Sequence, residues 1–496
     1  MKKMNLLVMS LVSAAALSFT SCSDSEDLAN DKAGQEKVDG FYMTLTVQSP
    51  NASGTRTSVL DPTENATAGE AAIKTGTLYL VDANGDIAFH EDLSGLDWSG
   101  DVKDDASKKK DGTKTFEIKV PAVVAGQTYR VYFLAGSHKP AGDMNFAATS
   151  NNFFTAATKS FASPFADDND FAMFNQNDAD VNGNGYTVKF IQANNNKQNP
   201  AKVNYTKDGK STTTNAPIKV ERVVARIDAP TSNSKVLAEA PANASAALKV
   251  AMKDAKEKVK SIELTNYAIS NLVNKSYVMQ TWNSSALVIP NDKEGFSYIQ
   301  PTAAFGDNYK YQNGGFNTTE ATKVNYVFEN NSKTAPTTMY FEYQIKLDDS
   351  KFTGPADFTD GTFYRYNNVI YTSFTQIFKD YADVANLFGE GMDAKKMKEE
   401  LIKVINDEDK LAEFRHTYNI EVFKGGKTYY KQVIKDKHIA GIIQRNSIYR
   451  LKVNNIFNVG AQVPNGKPTE ENKFYYLNVT VTVNPWVLNE DNVNLQ

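Results

Sequence analysis

Cys22 is the only cysteine in 496 residues, and the chain around it suits one reaction. Lys2 and Lys3 open the sequence, an apolar stretch runs from Leu6 to Phe19, and Phe19-Thr20-Ser21-Cys22 ends it. A basic start, a short apolar segment and small residues at its end make a secretory signal. The stretch is too short, and too rich in Ser and Ala, for a membrane-spanning helix. A thiol directly after small residues suits acylation followed by cleavage, which leaves the lipidated cysteine as residue one. Cys22 is therefore the expected lipidation site; an ordinary signal peptide with a chance cysteine is the alternative. Acyl chains gain ~0.8 kcal/mol per buried CH2, so a multiply acylated cysteine holds firmly. The acidic run Ser23-Asp24-Ser25-Glu26-Asp27 cannot bury itself and reads as a solvated tether.

Other chemistry is sparse. His90, His138, His416 and His438 are scattered, with no His-x-x-x-His or His-Glu-x-x-His pair for zinc. There is no Gly-rich phosphate loop and no Gly-x-Ser-x-Gly, and a lipidated or removed cysteine is no nucleophile. A carboxylate pair of the glycosidase kind is not excluded, but nothing points to one. The expectation is no enzyme and no cofactor. Asp178-Ala179-Asp180-Val181-Asn182-Gly183-Asn184 has Asp, Asp, Asn and Gly at positions one, three, five and six of a calcium loop. Position twelve, however, is Lys189 where a bidentate Glu belongs, so an Asx-rich turn is preferred and no metal is assigned. Net charge is −4 with no basic block, which argues against nucleic acid.

The elements that must position these residues are strands. The chain holds 24 Tyr and 28 Phe, which favours strands. Phe41-Tyr42-Met43-Thr44-Leu45-Thr46-Val47-Gln48 alternates strictly, putting Phe41, Met43, Leu45 and Val47 on a core face. A polar, Gly-containing connector carrying Arg56 follows. Further strands are expected at Thr77–Val81, Thr115–Val120, Tyr129–Leu134, Ile218–Ile227, Val259–Ile269, Met339–Leu347 and Ser447–Val459, with a turn at Asp82–Asp86. Residues 143–185 read as a long loop with short helical pieces, and 197–217 as an interdomain linker. Met397, Leu401, Val404 and Ile405 have helical spacing, giving a helix over 393–415 as an insertion. With no cysteine after residue 22, disulfides play no part. About 470 residues remain after the signal and tether, too many for one core. The expected fold is all-β, with two β-sandwiches divided near residue 217.

The two ends match. Leu477, Val479, Val481 and Val483 alternate with Asn478, Thr480 and Thr482, as Phe41, Met43, Leu45 and Val47 do with Thr44 and Thr46. Two such strands could occupy one groove, since a strand added to an open edge gains a main-chain ladder. Chance resemblance between alternating strands is the other explanation. Cleavage between Arg56 and Thr57 by a trypsin-like protease would release the first strand and expose an apolar edge. The C-terminal strand of another copy could fill it, and head-to-tail repetition gives an open filament. Arg56 could equally be an ordinary loop arginine. Trp486, after Pro485, is either an anchor in a partner's pocket or packed within its own domain.

At these residues the sequence resembles the major fimbrilins of the Bacteroidetes, the type V pilus subunits, and especially the Mfa-type fimbrilins. The resemblance rests on the lipobox, first strand and Gly54-Thr55-Arg56-Thr57 loop; on Val220-Glu221-Arg222-Val223-Val224-Ala225-Arg226; and on Arg445-Asn446-Ser447-Ile448-Tyr449 with Val479-Thr480-Val481-Thr482-Val483-Asn484-Pro485-Trp486. The acidic run after Cys22 also resembles export signals of surface lipoproteins in that phylum. The resemblance implies two transthyretin-like Greek-key sandwiches in tandem, with the small helical insertion, which has no match in the family, in the second. It implies a signal peptide and lipobox at 1–22, tether and propeptide at 23–56, domains at 57–216 and 217–473, and a donor segment at 474–496. It further implies lipidation (palmitate) at Cys22, an outer-membrane precursor, cleavage by an Arg-specific protease, and donor-strand polymerisation into a surface fimbrium serving adhesion. Partners would be copies of itself and the anchor and tip fimbrilins. Two alternatives stand beside a stalk subunit: a tip or accessory adhesin, and a permanently anchored glycan-binding surface lipoprotein.

Overall fold

The structure is a computed structural model. It describes residues 40–49, 68–98, 113–121, 123–146, 152–155, 165–167, 170–176, 185–207, 210–230, 235–283, 286–290, 298–299, 324–333, 335–434, 442–463, 477–484 and 488–493. The chain from Gly40 onward forms one compact unit of mostly strand.

Residues up to Arg222 build a ten-stranded sheet. Its order is Gly185–Lys189, Ala201–Lys207, Phe41–Gln48, Ile218–Arg222, Met173–Asn175, Thr128–Ala135, Gly76–Val81, Ile87–Asp92. Lys210–Thr214 pairs with Ala201–Lys207, and Thr113–Val120 with the first strand. Gly185–Lys189 also pairs with Thr128–Ala135, so the sheet curls back on itself. Its inward side chains, including Met43, Leu45, Leu78, Leu80, Ile118, Val131, Phe133 and Val188, are fully buried or nearly so.

A second group of strands follows. A five-stranded sheet runs Val324–Val327, Ala225–Asp228, Ile448–Ile456, Leu477–Asn484, Leu488–Val493. A three-stranded sheet runs Val259–Ser270, Thr338–Leu347, Lys427–Val433. The two share one core holding Ile227, Leu264, Phe341, Tyr343, Leu451 and Val453, which makes a β-sandwich.

Four expectations are corrected. Ile218–Ile227 is not one strand: Ile218–Arg222 belongs to the first sheet and Ala225–Asp228 to the second, with Val223 and Val224 turning between them. The 197–217 stretch is not a linker but contains strands Ala201–Lys207 and Lys210–Thr214. Ala201 and Val203 are buried while Lys202 between them is exposed. Within 143–185 the described residues form short strands, Phe153–Thr155, Ala166–Asp167, Asp170–Phe171 and Met173–Asn175, where helical pieces were expected. The 393–415 helix is two helices, Ala394–Val404 and Glu408–Thr417. The first ends at its Ile405 cap, and Asp407 caps the second, accepting from Lys410 N.

Those helices, with Phe374–Asp380 and strands Phe363–Tyr366, Val369–Tyr371 and Glu421–Phe423, enclose their own core around Phe374, Met397, Leu401, Leu411 and Phe414. Helix Ala246–Lys258, unforeseen in the sequence, starts at the Ser245 cap and buries only Ala251, Met252 and Ala255.

Candidate functional site

The first strand is an interior strand. Along one flank it pairs antiparallel with Thr113–Val120 over its whole length, from Phe41↔Val120 to Gln48↔Thr113. Along the other it runs parallel to two strands in succession: Met43↔Ala201 and Thr44↔Lys202, then Val47↔Ile218 and Gln48↔Lys219. Period-two alternation sends Phe41, Met43, Leu45 and Val47 into the core, none more than 5% exposed. Phe41 packs on Phe190, ring centroids 5.7 Å apart. On the outer face Thr46 and Thr115 share a hydroxyl hydrogen bond of 3.0 Å. At the N-terminal end Gly40 has φ +106°, and a Cβ there would meet Lys119 Cε and Pro121 Cα at 3.3 Å. Glycine is needed for the chain to enter the groove by that path.

The chain leaves the strand at Ser49, whose hydroxyl donates to the Ala71 carbonyl at 2.6 Å. Ala71 lies beside Glu70, which is 3% exposed. Glu70 is the hub of a polar cluster between the two groups of strands. Its carbonyl accepts from Arg222 Nε at 2.6 Å; its carboxylate accepts from Arg226 Nη1 at 2.9 Å and from the Tyr326 hydroxyl at 3.0 Å. Burial, and then the Glu70 charge, raise the Tyr326 phenol above its ordinary range. Burial works against the Arg222 charge while Glu70 supports it. Arg226 and Arg450 both donate to Asp228 at 2.5 Å, and Arg222 Nη1 donates to Asn446 Oδ1 at 2.9 Å. The two internal segments that carried the resemblance therefore lie side by side, with Arg226↔Ile448 and Ile227↔Tyr449 in register.

The C-terminal strand Leu477–Asn484 lies on its own chain here. It pairs antiparallel with Ile448–Ile456, from Ile448↔Asn484 to Ile456↔Leu477 with a bulge between Val453 and Asn455. Leu488–Val493 then folds back on it and forms the sheet edge. Both the first strand and this one contain eight residues.

The structure thus brings Phe41, Met43, Leu45 and Val47 together on one face and places Leu477, Val479, Val481 and Val483 at alternate positions of a second strand. Cys22, Arg56, Thr57, Trp486 and the 178–184 run lie outside the described residues. Lys189 ends a strand and is exposed. Among the described residues no group of three acidic, His or Cys side chains could hold a metal ion, and no helix is long and apolar enough to cross a membrane. Sequence reading missed Glu70. The only signal for its cluster was the charge at Arg222 and Arg226 inside a run of valines.

Residues 421–492 match the family model described as major fimbrial subunit protein type IV, fimbrillin, C-terminal. No curated protein matches the chain. Among solved structures, a protein assigned to cell adhesion from Parabacteroides distasonis aligns at 14% identity, TM-score 0.45, over 90% of this chain and 98% of its own. A fimbrial assembly protein from the same species aligns at 9% identity, TM-score 0.32, over 91% and 99%. The resemblance to the fimbrilins read from the sequence is supported by the family match, which rests on residues 421–492.

Proposed function

We propose that this chain is the structural subunit of a surface pilus, polymerising by strand replacement. The observation that carries the reading is the first strand: it is interior, hydrogen-bonded on both flanks, and continues directly into the connector that holds Arg56. In this reading Cys22 is lipidated (palmitate) and delivers the precursor to the outer membrane. An Arg-specific protease cuts between Arg56 and Thr57, and residues up to 56 leave with the first strand. The opened groove then takes the C-terminal strand of another copy, with Trp486 as a flanking anchor, and anchor and tip fimbrilins end the fibre. Four buried apolar side chains at ~1.5–3 kcal/mol each give roughly 6–12 kcal/mol gross for whichever strand fills the groove. In this reading the two groups of strands correspond to tandem transthyretin-like Greek-key domains, with the division after Arg222 rather than near residue 217. No catalytic step is assigned, and the fibre serves adhesion.

N-terminal sequencing of the protein from cells, with Arg56→Ala beside it, tests the reading. The expected mature start is Thr57, and Arg56→Ala is expected to remain a lipidated monomer. Normal fibres from Arg56→Ala would sink it.

A further inference from the structure

We propose that the donor strand enters the groove in the same direction as the strand it replaces, and that the exposed pair Val124 and Ile191 seats the aromatic trio Phe474-Tyr475-Tyr476 of that neighbouring copy. The proposal rests on the strand-replacement reading and adds its direction, its register and a contact surface outside the groove.

Direction follows from side-chain order. Laid in the same direction, Leu477 to Asn484 fall on Phe41 to Gln48. Thr480 then replaces Thr44, Thr482 replaces Thr46, Val483 replaces Val47 and Asn484 replaces Gln48. Thr482 inherits the hydroxyl contact that Thr46 makes with Thr115. The core face keeps its taper, with the larger Leu477 in the Phe41 position beside Phe190 and Val483 in a valine position. Laid in reverse, Val483 falls on Phe41 and Leu477 on Val47. The first change leaves a void beside Phe190 and the second overfills a site where Val47 is 1% exposed; core packing penalises both.

The seat follows from what lies beyond Phe41. The 124–127 turn and the loop after Phe190 are joined by Gly126 N to Phe190 O at 2.7 Å and Phe190 N to Gln127 O at 3.3 Å. Each presents a bare aliphatic side chain, Val124 at 56% exposure and Ile191 at 48%. In the same-direction register Tyr476 falls on Gly40. A tyrosine does not follow the +106° path that Gly40 takes, so the donor continues straight, past these two loops. The sequence places three aromatic residues there in succession, large amphipathic side chains of the kind that anchor protein interfaces.

Engineered disulfides test this cleanly, because processing after Arg56 removes the chain's only cysteine. Full-length Val124→Cys/Tyr475→Cys and Val124→Cys/Trp486→Cys are treated with an arginine-specific protease, allowed to polymerise, oxidised and run on a non-reducing gel. The expected result is a ladder of crosslinked oligomers from the Tyr475 pair and none from the Trp486 pair. A ladder from the Trp486 pair means a reversed donor and overturns the proposal, as do fibres in which neither pair crosslinks. If the unsubstituted protein is cleaved yet forms no fibre, the strand-replacement reading fails first and takes this inference with it. Val124→Asp/Ile191→Asp, with both sites on the surface, is expected to keep the monomer's melting temperature and slow polymerisation about tenfold or more, one decade being ~1.4 kcal/mol. An unchanged rate overturns the seat.

Discussion

Arg226 and Glu70, 156 residues apart in sequence, form an ion pair of 2.9 Å in which the side chains are 13% and 4% exposed. Glu70 thereby ties the chain that follows the Arg56 connector to the strand that opens the second sheet. Glu70→Gln keeps the shape and removes the charge. Arg226 retains Asp228 and the Tyr326 hydroxyl retains an amide oxygen, so the loss is the charge-assisted part alone. We expect the full-length protein to lose ~1–3 kcal/mol, in the range of hydrogen bonds to charged groups. An unchanged urea midpoint would show that the cluster adds nothing to stability.

The Glu70 cluster also shows what the sequence concealed. The bonds from Arg222, Arg226 and Tyr326 to Glu70 span 152 to 256 residues, so no local pattern announces them. Period-two strands were legible because one buried face imposes alternation, as it does from Phe41 to Val47. The Met397 and Leu401 stripe was legible for the same reason at helical period. The break at Val223-Val224 was not, because two valines at a sheet-to-sheet turn look like a continuing strand. Ala201–Lys207 was hidden by its lysines, asparagine and threonine, although it flanks the first strand. Helix Ala246–Lys258 was hidden by a buried stripe of only two alanines and a methionine.

Arg445 is 0% exposed at its side chain, and all its nitrogens are engaged. Nε and Nη2 reach Glu329 Oε2 at 2.9 Å, while Nη1 and Nη2 donate to the Val278 and Tyr277 carbonyls at 2.8 and 2.6 Å. Gln280 holds the other Glu329 oxygen at 2.6 Å. Arg445→Ala leaves the buried Glu329 charge uncompensated and removes the guanidinium donor from its Oε2 and from two carbonyls. The expected loss is ~3–5 kcal/mol in chemical denaturation. The double replacement Arg445→Met/Glu329→Leu removes both charges and is expected to cost less than Arg445→Ala alone. A double variant that is the less stable of the two would refute this account of the site.

Alkaline pH should destabilise the fold through its buried phenols. Burial raises the pKa values of Tyr343, Tyr364, Tyr429 and Tyr430 in the folded chain; Asp357 adds to the effect at Tyr364, Glu342 at Tyr429 and Tyr343 at Tyr430. The unfolded chain ionises its tyrosines near pH ~10. Above that pH the unfolded state holds fewer protons than the folded one, so stability falls as pH rises. The contribution is complete below pH ~10 and is lost progressively above it, toward the raised folded values. Urea midpoints taken from neutral to alkaline pH should show this decline, with a further rise in phenolate absorbance accompanying unfolding as these buried tyrosines ionise. Tyr343→Phe, whose shift comes from burial alone, should flatten the slope; an unchanged slope would remove Tyr343 from the effect.

The sharpest test of the first strand compares one substitution in two forms of the same protein. Leu45 is 0% exposed in the middle of that strand, between partners Phe116 and the Ala201–Ile218 flank. In the precursor, Leu45→Ala removes buried methyl groups and should cost ~2–5 kcal/mol, as large-to-small core changes do. After cleavage at Arg56 the residue belongs to the released peptide, so the polymer made from the variant should match the unsubstituted polymer in resistance to denaturant. The precursor should also lose its strand more readily, so cleaved Leu45→Ala should polymerise sooner than cleaved wild type. A variant polymer weakened as much as its precursor would mean that residues 41–48 stay in the groove, and that the C-terminal strand never takes their place.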